Sequence, residues 1–391
     1  MSLRQKILGE IHERGPIPFS RYMEMCLYDP EYGYYSRNAE QFGKSGDFYT
    51  SSDVHAVFGR LLARQFDEMW RAIGSPAAIE VLELGPGRGL FAQDVLDWSE
   101  KKFPDFFNAL CYSLVESSAV LRERIRATLL EHIESGKAKL LKYTSRRADK
   151  RSPNSDDVLS ALPRCLATDV PLIVFANEFF DALPVEVLST NGSLRIGARE
   201  NLFLEEWAGS SPSEYEFLDR WGIHPQERER TEVCLAAMEW ARRIAATIQT
   251  GFLIAIDYGY TRDEQLAGRH LDTVMTYRKH SATPDPHQSP GEQDITAHVN
   301  FTALAAALES GGMETQKLRT QSQFLLGVGE KNQFADAFEE CRLPQEKAKV
   351  ALQLKHLVTP MGMGETFHAL VASKGVNREV VESLTGLSFG K

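Results

Sequence analysis

Val81-Leu82-Glu83-Leu84-Gly85-Pro86-Gly87-Arg88-Gly89-Leu90-Phe91 passes from one kind of pattern to another. The apolar run that opens at Ile79 predicts a short buried strand over Ile79–Leu84. Leu90, Phe91, Val95 and Leu96 then recur at helical spacing. Three glycines at the joint let the backbone turn tightly and approach a ligand closely. The helix that follows presents unpaired N–H groups at its start. Counted from Gly85, the third glycine of a G-x-G-x-x-G dinucleotide fingerprint falls on Leu90, so that pattern fails. No Gly-Lys-Ser/Thr follows, which excludes a P-loop. The residues leave two readings open: a cofactor loop, or a plain strand-to-helix turn.

Outward from this joint the β-α-β rhythm continues. Ala109–Val115 reads as a second strand, Leu121–His132 as a helix, and Lys139–Tyr143 as a third strand. Pro171–Ala176 and Phe252–Ile256 are further apolar runs, and Phe103–Asn108 reads as a loop insertion. Such runs alternating with helices predict a mostly parallel α/β sheet covered on both faces. Upstream, Leu3, Ile7, Leu8 and Ile11 share a helical face that Gly15-Pro16 ends; Phe19-Ser20 reads as staple and N-cap of a second helix. A third helix is expected from about Val54 to Ile73. Val185–Leu188, Leu194–Ala198 and Asn201–Trp207 read as inserted hairpin strands around Asn191-Gly192. Asn300 is a fitting N-cap for Phe301–Leu308. Met313–Arg319 and Thr366–Ala372 are the last expected strands, with a helical stretch at about Lys331–Val358 between them.

In an open α/β sheet, ligands bind beyond the carboxyl ends of the strands. The first strand delivers Gly85–Gly89. The second delivers Glu116, where a nucleoside site expects an acid for the ribose hydroxyls. The later strands deliver Asn177-Glu178-Phe179-Phe180-Asp181 and Asp257-Tyr258-Gly259-Tyr260. Glu178, Asp181 and Glu186 are candidates to clamp a cationic group; each of the first two is equally readable as a cap of the following turn. His298 could serve as a base or orient a substrate, and a loop histidine is also commonly structural.

Net charge is −10, which disfavours a nucleic-acid partner and suits a cationic ligand. The five cysteines are far apart with no CxxC pair, so neither a metal framework nor a disulfide scaffold is indicated. No apolar run has the length of a membrane span, and the N-terminus lacks the pattern of a secretory signal; a cytoplasmic protein without membrane insertion is expected.

The spacing Glu83-x-Gly85-x-Gly87-x-Gly89 resembles motif I of class I methyltransferases, where the carboxylate at the Glu83 position helps hold the methionyl end of S-adenosylmethionine. Further segments carry a fuller resemblance: Leu27–Tyr35, Ser45–Thr50, Asn177–Pro184, Ile256–Tyr260 and Pro290–Val299. With these the chain resembles the MidA family, to which the mitochondrial complex I assembly factor and protein-arginine methyltransferase belongs; this chain looks like a bacterial member. The resemblance implies a Rossmann-like, seven-stranded, mostly parallel sheet. It implies a helical N-terminal segment over 1–78 covering the cofactor site, and a core over 79–391 with insertions at about 185–248 and 325–360. Glu83, Gly85, Gly87, Gly89 and Glu116 are then the expected cofactor contacts, with Gly46, Asp47 and Thr50 closing over them. Asn177, Glu178, Asp181, Tyr258 and His298 are the expected catalytic set. Residues Arg146–Asp157, where an adenine loop is expected, show no obvious adenine-binding side chain. A protein substrate, most simply an arginine, is implied. A small-molecule acceptor and a non-catalytic binding protein are the competing readings, and a homodimer through the hairpin insertion is a further expectation.

Overall fold

Strand β1 (Ile79–Leu84) is buried along its whole length. A strand with neighbours on both sides and helices on both faces must hide even its acids, and buried acids need partners. Tyr112 and Ser113 of β2 (Leu110–Val115) supply them, donating to Glu83 and Glu80 respectively. β1 is flanked by parallel β2 and by parallel β4 (Leu172–Asn177). β3 (Ala138–Leu140) lies outside β2, and β5 (Gly251–Tyr260) outside β4, both parallel. β6 (Phe367–Lys374) joins β5 antiparallel, and the short strand Glu314–Thr315 closes the edge. The path across the sheet is therefore 314–315, β6, β5, β4, β1, β2, β3. This is the Rossmann-like, mostly parallel seven-strand order, with two-residue additions at Val299–Asn300 and Arg319–Thr320.

This computed structural model describes residues 2–37, 56–141, 169–268, 270–278, 281–283 and 285–390. The helices Val57–Ala72, Leu90–Lys102 and Gln321–Glu330 cover one face of the sheet. Leu235–Thr247 and Phe301–Ser310 cover the other, and the apolar face of the latter is core packing. A third core joins the first two helices, Leu3–Arg14 and Phe19–Tyr28, to the inserted strands Glu186–Ser189 and Gly192–Arg199 through Ile7, Tyr22, Val187 and Ile196. Ile17–Pro18 adds an antiparallel strand to that insertion.

Several local expectations are corrected. Phe103–Asn108 is not a loop: Pro104 opens a short helix, Pro104–Ala109, because proline at the first helical position forfeits no intrahelical bond. Ser20 is not an N-cap; the helix starts two residues earlier than that cap would place it, at Phe19 behind Pro18, and the Ser20 hydroxyl donates to Glu186 Oε1 at 2.5 Å. Met313–Arg319 is two separate two-residue strands. The stretch from Lys331 divides into Ala335–Phe338 and Pro344–Val358, preceded by the Gln321–Glu330 helix, which Gly327 and Gly329 obscure in the sequence. Asn300 does cap its helix, accepting from the Ala303 N–H at 3.0 Å. No helix among the described residues is long and apolar enough to cross a membrane.

Candidate active site

A cavity of about 430 Å³ opens at the carboxyl ends of β1, β2, β4 and β5. This is the switch point, where successive crossovers leave β1 in opposite directions. Its floor is the glycine turn. Gly85, Gly87 and Gly89 all adopt left-handed backbone, with φ of +63°, +54° and +79°. L side chains rarely accept that conformation, so the three glycines are required by the turn. At Gly85 a Cβ would also stand 3.1 Å from the Phe179 ring. Gly89 is the N-cap residue of the Leu90–Lys102 helix and lies just behind the lining formed by Gly85, Gly87 and Leu90.

Two buried carboxylates flank this floor. Tyr112 donates to Glu83 Oε2 at 2.9 Å, and the Ser118 N–H donates to Glu116 Oε1 at 2.7 Å. Burial pushes Glu83 up to about 8, against the pull of its tyrosine and helped by the charge of Glu116. Burial likewise pushes Glu116 up to about 7. Carboxylates held this far above their ordinary range are poised to gain from a cation or from hydroxyl donors placed beside them.

The opposite wall comes from the turn after β4. Asn177 Nδ2 donates to Glu178 Oε1 at 3.0 Å, while the buried Asn177 Oδ1 has no hydrogen-bond partner among the described residues. Glu178 has φ of +52°, an uncommon state for a non-glycine residue, and its N–H is tied to the Ile256 carbonyl at 2.9 Å. Such strain persists where surrounding structure enforces it, and it is concentrated at functional sites. Asp181 is buried, with Oδ1 unpartnered among the described residues; burial pushes it up to about 6, and the Tyr258 hydroxyl opposes the shift. Tyr258 packs edge-on against His298 and Phe367, with ring centroids 5.3 and 5.4 Å away. Burial lowers His298 to about 4, so its imidazole is neutral near pH 7.

The cavity thus brings together Glu83, Gly85, Gly87, Glu116, Asn177, Glu178, Asp181, Tyr258 and His298. Glu186 is not with them: the chain turns away after Pro184, and Glu186 lines a neighbouring groove. Phe180 and Tyr260 are core residues. Gly46, Asp47 and Thr50, and the Arg146–Asp157 stretch, lie outside the described residues. Sequence reasoning did not find Tyr28, Tyr35, Trp240, Tyr277, Asp294 and Phe367, all of which line the cavity. Tyr28 donates to the Ala182 carbonyl at 2.9 Å and Tyr35 to Asp294 Oδ1 at 3.0 Å. Ser118 Oγ donates to the Tyr35 carbonyl at 2.6 Å, tying the aromatic stretch to the end of β2. The density of tyrosines in Tyr28–Tyr35 was the available signal. Among the described residues no cluster of histidine, cysteine and acids is arranged to hold a metal.

Comparison with known proteins agrees with this geometry. The model of a family described as "Putative S-adenosyl-L-methionine-dependent methyltransferase" matches residues 61–319. A crystal structure of a Burkholderia thailandensis protein bound to S-adenosyl-homocysteine superposes with a TM-score of 0.79 at 26% identity, covering 99% of this chain and 94% of that one. The chain is 27% identical over 394 residues to the Drosophila melanogaster homolog of the mitochondrial protein arginine methyltransferase NDUFAF7, covering 96% of this chain and 85% of the relative. It is 28% identical to the Homo sapiens protein of that name, covering 93% and 81%.

Proposed function

The chain belongs to this S-adenosyl-L-methionine-dependent methyltransferase family, and from that premise we propose that its acceptor is a protein side chain, an arginine guanidinium. One observation carries the choice of acceptor. Six carboxylates line the cavity (Glu24, Glu83, Glu116, Glu178, Asp181 and Asp294), with Arg88 the one lysine or arginine among the lining residues. Such a site concentrates cations.

The residues fit the cofactor. The left-handed glycine turn leaves room for close approach, and beside it burial holds Glu83 and Glu116 above the ordinary carboxylate range. Glu83 with Gly85 and Gly87 would hold the methionyl end, and Glu116 the ribose. When bound, S-adenosylmethionine supplies an electrophilic methyl on a sulfonium that departs as a neutral thioether. The chain's task is then alignment and exclusion of water. A guanidinium does not shed its proton unaided. Glu178 and Asp181 would clamp its planar fork from the β4 turn, and Asn177 Oδ1 offers an acceptor for a remaining N–H. The Tyr258, Phe179 and Phe367 rings close the wall against solvent. A carboxyl lifted to about 6, as in Asp181, is matched to taking up a proton near neutral pH.

Tritiated S-adenosylmethionine incubated with cell protein and the purified enzyme tests the reading. Label recovered as methylarginine after hydrolysis, and lost with Glu178→Gln, supports it; label on other side chains counts against arginine. The same aromatic wall suits a small apolar acceptor, which would show as label confined to the small-molecule fraction.

A further inference from the structure

His298 lines the cavity with an imidazole whose ring nitrogens make no hydrogen bond among the described residues. The ring meets aromatic neighbours instead, with the Tyr258 and Tyr260 centroids 5.3 and 6.4 Å away. A neutral imidazole carries one N–H donor and one accepting nitrogen, and both are left for a bound substrate. Packing against two rings does not by itself fix where such a side chain points; its backbone must be held. We propose that Glu232 and Thr273, neither of which lines the cavity, are positioning residues that hold His298 for contact with the substrate guanidinium; the inference rests on the arginine reading above.

Three observations carry it. The first is a hydrogen-bond chain that starts in the inserted sheet. Glu232 stands on the strand Thr231–Val233, opposite Val187 of the strand Glu186–Ser189. Its Oε1 accepts the Thr273 N–H and its Oε2 the Thr273 hydroxyl, each at 2.9 Å. The same hydroxyl oxygen accepts the His298 N–H at 3.1 Å. The second is direction. A carboxylate can only accept, so it makes the Thr273 hydroxyl donate toward the sheet and turns the oxygen lone pairs toward His298. The third is the setting of Glu232. It is 4% exposed and has no salt bridge among the described residues, and burial pushes it up to about 7. An acid buried without a cation is costly, and an apolar side chain would fill the same space at less cost. The residue before His298 is held from the other side, where Ala297 donates its N–H to the Asp181 carbonyl at 3.0 Å. His298 is thus clasped between the Asp181 turn and the inserted sheet.

The test uses the full chain, tritiated S-adenosylmethionine and arginine-centred peptides at about pH 8.5, where Glu232 is ionised. Thr273→Val removes the hydroxyl with little change of shape, and Thr273→Ser keeps it. Glu232→Gln sets an amide donor against it, and His298→Ala removes the ring. Thr273→Val and Glu232→Gln should each lower kcat roughly tenfold with affinity for S-adenosylhomocysteine unchanged, while Thr273→Ser stays within about twofold of wild type. The loss should disappear once the ring is gone, so that Thr273→Val combined with His298→Ala turns over as His298→Ala alone does. Losses that multiply in the double variant, or wild-type kcat in His298→Ala, overturn the proposal. Nuclear magnetic resonance of isotope-labelled histidine gives a readout that needs no substrate. The His298 ring signals, assigned by their loss in His298→Ala, should shift in Thr273→Val and stay in place in Thr273→Ser. Unshifted signals in Thr273→Val overturn the positioning. Shifted signals in a protein that labels no arginine peptide remove the arginine reading and leave the positioning of His298 standing.

Discussion

Asp257 Oδ2 accepts the backbone N–H of Asp181 at 3.3 Å, so a carboxylate on β5 fixes the position of a carboxylate on the turn after β4. The same oxygen accepts the Phe180 N–H at 3.0 Å, and Oδ1 accepts the Tyr258 N–H at 3.0 Å. Burial and the nearby charges of Asp181 and Glu178 push Asp257 well above the usual carboxylate range. On the proposed function Asp257 is an anchor and Asp181 a clamp, and two variants should separate them by measurement. Asp257→Ala strands three backbone donors and should lower stability by about 2–4 kcal/mol in denaturant unfolding. Asp181→Asn keeps a side-chain oxygen for the Tyr258 hydroxyl and should change stability by less than Asp257→Ala, while methyl transfer falls. Equal stability losses would mean that Asp181 is itself a structural cap.

Glu178 allows a second separation, between strain and chemistry. At φ of +52° glycine is the more comfortable residue, by about 1 kcal/mol. Glu178→Gly should keep or raise the unfolding midpoint and still bind S-adenosylhomocysteine, yet lose on the order of 10²-fold in methyl transfer, the scale of a misaligned reactant. A stable variant with wild-type turnover would remove Glu178 from the mechanism.

The part of this site that was legible in the sequence is the part built from consecutive residues. Gly85, Gly87 and Gly89 are forced by the turn they make, and Glu116 by the end of its strand. The acidic turn 177–181 follows a strand whose apolar run is unmistakable. What escaped depends on pairings between distant segments. Asp257 reads only as a polar residue at a strand end until the parallel register of β4 and β5 places it under the next turn. Tyr28 and Tyr35 belong to helix-and-turn residues far upstream, and nothing local says that their hydroxyls reach Ala182 and Asp294. Glu186 was misplaced for the opposite reason. Nearness to Asp181 in the chain suggested nearness in space, but Pro184 leads into the hairpin and carries Glu186 to the other groove.

The buried acids also set a pH signature. Glu83 is raised to about 8 in the folded protein, so its contribution to stability is full below its unfolded value and is lost as pH climbs through that figure. Glu116, raised to about 7, acts in the same direction. A cationic cofactor favours the ionised forms, so its binding must release protons in this window. Affinity for S-adenosylmethionine should rise with pH between about 6 and 8, by up to about tenfold per unit. Glu83→Gln should bind weakly at all pH values and flatten the slope. Calorimetry in buffers of different ionisation enthalpy counts the protons directly; a wild-type affinity independent of pH would place Glu83 away from the cation.

The glycine turn gives the last prediction. Gly87 has φ of +54° and lines the cavity. Valine is β-branched and strongly resists that backbone state, so Gly87→Val must either move the turn or strain it, and in both cases a side chain intrudes where the cofactor's backbone contacts should form. The fold has little reason to fail, because β1 and the Leu90–Lys102 helix are anchored by their own buried residues. Binding of S-adenosylhomocysteine should therefore fall by at least about 10²-fold, about 2.7 kcal/mol, with the far-ultraviolet spectrum preserved. Retained binding in a folded Gly87→Val protein would mean that the cofactor does not approach this turn, and the assignment of Glu83 and Glu116 to its two ends would fall with it.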